Sequence, residues 1–306
     1  MSLSLRHLRY FVATAESGQV SRAAMELNIS QSAVTGAIRQ LEAQIGSRLF
    51  DRHAPGVALT FDGSRFLQHA HHIIASVNEA MRVPAAATAT VIGHVRVGVT
   101  YTVAGYFLPQ HQARFTRSYP GVMIELREAP RAAVEEDLMS GRLDIAVLLT
   151  SNLQNRSKLD HETLIRSRRR LWLPTDHPMT RRSEIRLEHV AQEPYVMLTV
   201  DEASHTAERY WEHTPYRPKV VFRTSSVEAV RSMVANGMGV TILSDMVYRP
   251  WSLDGQRIEP RNIDDMVPSM DVGIAWRRGV EETSAVRAFH EFLSLTFNGG
   301  GPGITN

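Results

Sequence analysis

The sequence predicts an α/β chain in three parts: a winged helix-turn-helix over residues 1–60, a linker helix and hinge over 61–89, and a two-lobed α/β domain over 90–299. Three observations predict it. Val34, Ile38, Leu41 and Ile45 recur at four, three and four residues, which marks one face of a helix. Phe66, Ala70, Ile73, Val77 and Ala80 recur at four, three, four and three, the spacing of a helix that pairs along its length. From His94 onward strand and helix patterns alternate, which implies parallel strands joined by right-handed crossovers.

Taken in order, Leu5, Leu8, Phe11, Val12 and Ala15 form an amphipathic first helix, and Arg22 to Leu27 a short second one. Ala23 and Ala24 let that second helix approach a neighbour closely, and Asn28 with Ile29 makes a tight turn. Ser30 is the natural N-cap of the helix beginning at Gln31. Such a helix enters the major groove and presents its first residues to base edges. Ser30, Gln31, Ser32, Thr35 and Arg39 are the candidate DNA contacts there, because Gln can bond adenine in two places and Arg guanine. RLFDRHAPGVALT after Gly46 reads as a small β-wing. Arg52 and His53 open it, and they read either as phosphate or minor-groove contacts or as a solvated turn; Arg22 is a further phosphate candidate.

The run from Leu5 to Gly63 resembles the amino-terminal domain of the LysR-type transcriptional regulators. AA at 23 and 24, SQ at 30 and 31, IRQLE at 38 to 42, LFDR at 49 to 52 and LT at 59 and 60 carry the resemblance in register. Two departures stand out. Ser32 occupies a place where that family often has proline, and Gly36 one where many members carry a long polar side chain. A mid-helix glycine costs about 1 kcal/mol relative to alanine, so no DNA role is assigned to position 36.

Thr60 caps the next helix, read as a dimerising linker to about Val83, because nothing else in the head would cover so long an apolar seam. His69, His71 and His72 flank it. With no carboxylate or thiolate to complete a set they read as a solvated face rather than a metal site. Pro84 stops the helix, and small residues behind it form a joint.

In the α/β part HVRVGVT, VMIELRE and DIAVLLT are strands, separated by GYFLPQHQARFTRSY and by a helix from Arg131 to Ser140 that Gly141 closes. A second series begins near Thr163 with RRRLWLPTDHP, YVMLTV, KVVFRT and VTILS as its strand-bearing runs. Lobe I is thus about 90–162 and 268–299, lobe II about 163–267, and 300–306 a loose tail. Two lobes joined by two crossings describe a periplasmic-binding-protein-like clamshell. The runs LMSGRLDIAVL, LPTDHPM and VRSMVANGMGVTILS resemble landmarks of the same family, which implies that MDVGIAWRR and the final helix return to lobe I.

Ligands of open parallel sheets lie beyond the carboxyl ends of strands. That rule selects Thr100, Thr102 and Arg131 in one lobe, and Thr199 with Asp201 and Thr224 with Ser225 in the other, as candidate effector contacts. Hydroxyls there suit a carboxylate, and they equally suit ordinary helix caps. Arg131 fits a bidentate anion contact and also a surface pairing with Glu135, one turn away. Arg166, Arg168, Arg169 and Arg170 read as a solvated, hinge-flanking run, since alternate strand residues point opposite ways.

Composition bounds the function. With 306 residues, 43% of them hydrophobic, the chain can bury several cores. It has no cysteine, so disulfides, thiolate metal sites and thiol redox sensing, known in some of the resembled family, are excluded. A net charge of only +2 makes DNA affinity a matter of local contacts multiplied by oligomerisation. No apolar run nears the roughly 18 residues of a membrane span, and the start lacks a signal-peptide stretch, so a cytoplasmic protein is expected. Asp144, His177 and Ser244 form a triad only on paper, because Ser244 lies in no GxSxG elbow.

The expected function is therefore that of a DNA-binding transcriptional regulator, not an enzyme, with double-stranded DNA and a small effector as partners and no cofactor. The resemblance implies effectors that are often small organic acids, and a tetramer built on a homodimer; RNA polymerase is a further candidate partner. A ligand-independent regulator and a ligand-binding protein without DNA function are the alternatives.

Overall fold

The computed structural model describes residues 4–53, 56–60, 62–63, 65–67, 69–70, 73–74, 77 and 91–298. The chain divides into two units, Met1–Ala87 and Thr88–Asn306. In the first, α1 (Leu5–Ser17), α2 (Val20–Glu26) and α3 (Gln31–Ile45) enclose a core of Leu8, Phe11, Ala24, Val34, Ile38 and Leu41. Ala23 and Ala24 are 0% and 4% exposed, so the close approach expected of them is made. Asn28 turns the chain at φ 54°, a left-handed conformation that Asn tolerates better than most residues. Ser30 Oγ accepts the Ala33 N–H at 3.2 Å and starts α3.

Ile45 departs from the expected core face. It is 40% exposed, because it is the last residue before the αL cap Gly46, beyond the turn that Leu41 buries. Strands β1 (Phe50–His53) and β2 (Gly56–Leu59) pair antiparallel with Phe50 opposite Leu59, giving the expected wing. Thr60 Oγ1 accepts the Gly63 N–H at 2.9 Å, an N-cap for the linker helix. Ala70 is fully buried in the head core, and Phe66 packs edge-on against Phe11 at 5.1 Å. The head itself thus covers Ala70 fully and Phe66 in part, whereas Ile73 stays 39% exposed. Ala80, Val83, the Pro84 hinge, His71, His72 and the tail 300–306 lie outside the described residues.

In the second unit β3 (Gly93–Val99), β4 (Val122–Glu128), β5 (Ile145–Leu149), β6 (Leu159–Ser167) and β12 (Met270–Arg277) form one sheet in the order β4-β3-β5-β12-β6. β3 runs parallel to β4 and β5, as the β-α-β-α-β reading requires, and β12 antiparallel to β5 and β6. Val95, Val97 and Val99 point into a core with Phe115, Phe289 and Leu293, so the last strand and the helix Ser284–Asn298 do return to this lobe. The other lobe holds β7 (Arg169–Pro174), β10 (Thr241–Ser244) and β11 (Ile258–Arg261) in the order β10-β7-β11, with β8 (Pro194–Leu198) parallel to β9 (Lys219–Thr224). A Tyr195–Val240 bridge links the two groups of strands.

The change of lobe falls later than Thr163. That residue sits inside β6 opposite Gly273, and β12 pairs with β6 along its length, so the crossing is at Arg168. No described helix is long and apolar enough to cross a membrane.

Candidate functional site

On α3 the burial pattern divides the helix. Val34, Ile38 and Leu41 are buried, while Gln31, Ser32 and Arg39 stand exposed and Thr35 is half-buried beside Val20, Ile38 and Phe50. Ser30 Oγ accepts the cap bond and lies 3.0 Å, oxygen to oxygen, from the Ser32 hydroxyl, and the residue is exposed. Arg22 is exposed and pairs with Glu26 at 3.6 Å. The backbones of Arg52 and His53 lie in β1; their side chains are outside the described residues. A residue not singled out from sequence, Glu42, accepts the N–H groups of Leu49 and Phe50 at 2.8 and 3.2 Å, which ties the wing to α3.

Between the lobes the candidates separate into three kinds. Thr100 and Thr102 are 2% and 3% exposed at the start of the helix Tyr101–Tyr106. Thr100 Oγ1 has no hydrogen-bond partner among the described residues, so it is not a cap, and the Thr102 N–H donates to Asp201 Oδ2 at 2.7 Å. Thr224 Oγ1 accepts the Ser226 N–H at 3.1 Å, which leaves its own O–H to donate. Ser226, not Ser225, caps the helix Val227–Ala235. Thr199 and Ser225 are exposed.

Arg131 pairs both within its own helix and across the lobes. Its Nη1 donates to Glu135 at 2.7 Å, the expected partner one turn on, and its Nε to Glu202 of the other lobe at 3.0 Å. The side chain is 12% exposed, so this is no surface pair. Burial works against its charge, and the two carboxylates more than offset that, so the guanidinium is held charged. Asn152 donates to the Asp201 carbonyl at 2.9 Å and to Glu202 at 3.3 Å. Asp201 and Glu202 lie at φ 49° and 56°, consecutive non-glycine residues in the left-handed region, at a cost of about 1–3 kcal/mol each. A cavity of about 410 Å³ opens beside Tyr101, Tyr106, Glu128 and Glu228, where the Tyr106 hydroxyl donates to Glu228 at 3.2 Å.

The basic run flanks the crossings as expected, but only part of it is solvated. Arg166 and Arg168 are exposed. Arg169 donates to the carbonyls of Pro268 and Ser269, the latter at 2.6 Å, which ties one crossing to the other. Arg170 pairs with Asp245 at 2.5 Å and lies over the Tyr248 ring. The paper triad is not assembled: Asp144 pairs with Arg96, His177 caps a turn at Met179, and Ser244 donates to Ser167 at 2.7 Å. Among the described residues no group of His, Asp or Glu is arranged to hold a metal.

Two family models match the chain. The LysR substrate binding domain matches residues 89–297, and the bacterial regulatory helix-turn-helix protein of the lysR family matches residues 5–64. The HTH-type transcriptional regulator AlsR of Bacillus subtilis (strain 168) is 29% identical over 280 residues, covering 90% of this chain and 91% of the relative. The uncharacterized HTH-type transcriptional regulator YnfL of Escherichia coli (strain K12) is 30% identical over 303 residues, covering 96% of this chain and 98% of the relative. The crystal structure of HinK, a LysR family transcriptional regulator from Pseudomonas aeruginosa, matches with a TM-score of 0.63 at 28% identity, over 97% of this chain and 99% of that one.

Proposed function

The chain belongs to the LysR family of DNA-binding transcriptional regulators with an effector-binding domain, and from that premise we propose how its own residues divide the work. α3 lies in the major groove with Gln31, Ser32, Thr35 and Arg39 toward the bases, while Arg22, Ser30, Arg52 and His53 fix the head on phosphates. A small organic anion enters between the lobes and is held by Arg131 with the groups of Thr100, Thr102, Thr199, Thr224 and Ser225 around it. Its different affinity for two lobe arrangements alters the oligomer and its contact with promoter DNA. A homodimer through the linker helix, doubled to a tetramer, carries several heads to one promoter in the cytoplasm, with RNA polymerase as the downstream contact. Such a chain performs no catalysis.

The observation that carries the DNA reading is the division of α3, a capped helix with one face in the core and Gln31, Ser32 and Arg39 in solvent. Its test uses a duplex selected from a random pool by the unaltered full chain. Arg39→Ala is expected to weaken binding to that duplex by about 1–3 kcal/mol and to relax the preference at one base pair. Affinity of the unaltered chain falls steeply with salt, as phosphate contacts require. Unchanged affinity removes Arg39 from the reading face, and a flat salt response removes the phosphate contacts.

The cavity beside Tyr101, Tyr106, Glu128 and Glu228 favours a second reading, in which the effector also carries a cationic group seated on the aromatic rings. Amines tested beside carboxylates in thermal denaturation distinguish the two.

A further inference from the structure

The segment after β8 holds the most strained backbone among the described residues. Asp201 (φ 49°, ψ 42°) and Glu202 (φ 56°, ψ 26°) follow one another in a region that L side chains visit singly and rarely repeat. Strain of this kind persists only where the surroundings over-determine it. Here every hydrogen bond that the two side chains make among the described residues runs to the other lobe. The Asp201 carboxylate accepts the Thr102 N–H at 2.7 Å, and Glu202 accepts Arg131 Nε at 3.0 Å and Asn152 Nδ2 at 3.3 Å. Asn152 also reaches the Asp201 carbonyl at 2.9 Å.

The partners in lobe I are all hydrogen-bond donors, and the groups brought to them are carboxylates. The geometry points to an internal latch: Asp201 and Glu202 act as the chain's own anionic ligand for Thr102, Arg131 and Asn152, and an anion that takes the Nε side of Arg131 displaces Glu202. Arg131 keeps Glu135 on Nη1 throughout, so one side of the guanidinium is a fixed anchor and the other is exchangeable. Once released, Asp201 and Glu202 are free to return to ordinary right-handed or extended conformations. The effector is thereby coupled to a backbone change in lobe II and not only to the separation of the lobes. The displacement half rests on the anionic-effector reading above; the latch itself does not.

Hydrogen exchange read by mass spectrometry on the full chain tests both halves. In the double variant Asp201→Asn, Glu202→Gln, exchange in residues 100–106 and 150–156 is expected to rise roughly tenfold while β3 and β5 stay as protected as before. Unchanged exchange in those two segments overturns the latch. Asn152→Ala, which removes a single shared donor, is the milder variant should the double one lose its melting transition, and it is expected to act in the same direction. A panel of acetate, succinate, benzoate and methanesulfonate is then added to the unaltered chain and to Glu202→Gln, with thermal shift as readout. Tighter binding of a panel member to Glu202→Gln than to the unaltered chain supports displacement. Equal binding to the two overturns it. Faster exchange in the double variant with no binding of any panel member leaves the latch standing and overturns the anionic-effector reading.

Discussion

Glu135 is a fully buried carboxylate that four donors hold in place: Arg131 Nη1 at 2.7 Å, the N–H groups of Gln154 and Asn155 at 3.1 and 3.0 Å, and Asn155 Nδ2 at 2.5 Å. Burial works to raise its carboxyl; the Arg131 guanidinium and the Gln154 and Asn155 donors outweigh it, and the group is held below the ordinary 4.5. A carboxyl depressed on folding stabilises the native state above its unfolded value and loses that contribution as pH falls through the folded one. Glu135→Gln is therefore expected to cost about 1–3 kcal/mol at neutral pH and to make the decline in melting temperature below roughly pH 4.5 shallower. Tryptophan fluorescence reads this cleanly, since Trp172, Trp211, Trp251 and Trp276 all lie in the second unit. An equally steep decline in the variant removes Glu135 from the acid response. The pair with Arg131 was legible from a spacing of four residues. Glu202 was not, because it stands 71 residues from Arg131 and reaches it through backbone that no propensity favours. Ser225 and Ser226 show the same limit on a smaller scale: hydroxyls side by side, with the choice of cap made by the turn that Thr224 Oγ1 braces.

At the scale of an element, α3 shows what periodicity can and cannot deliver. Its core stripe and its cap at Ser30 follow from spacing and residue type, since both are local. Ile45 fits the spacing and lies outside the core, because a helix can outrun the elements that cover it. A Cβ built at Gly36 meets nothing within 4 Å. Gly36→Ala is thus expected to stabilise the head by about 1 kcal/mol through the helix alone, read as a higher denaturation midpoint by circular dichroism; a lower midpoint signals a clash that the open space does not contain. The linker helix carries a heptad stripe whose first positions, Phe66 and Ala70, serve the head core. A stripe of that period says that a face is covered and is silent on what covers it. No sequence pattern marks β6, because its exposed and buried residues follow no simple alternation and its partner β12 lies more than a hundred residues away.

The two-lobed plan was legible in the whole chain because alternating strands and helices leave few topologies. How the lobes are tied was not, since it depends on main-chain carbonyls that no sequence pattern marks. Arg169→Ala is expected to loosen both crossings together, raising hydrogen exchange in residues 167–170 and 266–271 and lowering stability by about 1–3 kcal/mol. Faster exchange confined to the first segment overturns the tie. With Arg169 on the Pro268 and Ser269 carbonyls, and Ser244 bonded to Ser167 beside it, the two chain crossings are tied together and are expected to act as a single axle. A body on one axle can swing but cannot slide, so the swing leaves the axle's own bonds at constant length. A spectroscopic ruler placed across the exposed Arg168 and Met266 is therefore expected to stay silent if the lobes turn, while one placed from the exposed Gln154 to His205 is expected to record the turn. The absence of native cysteine lets both rulers be attached through introduced thiols alone.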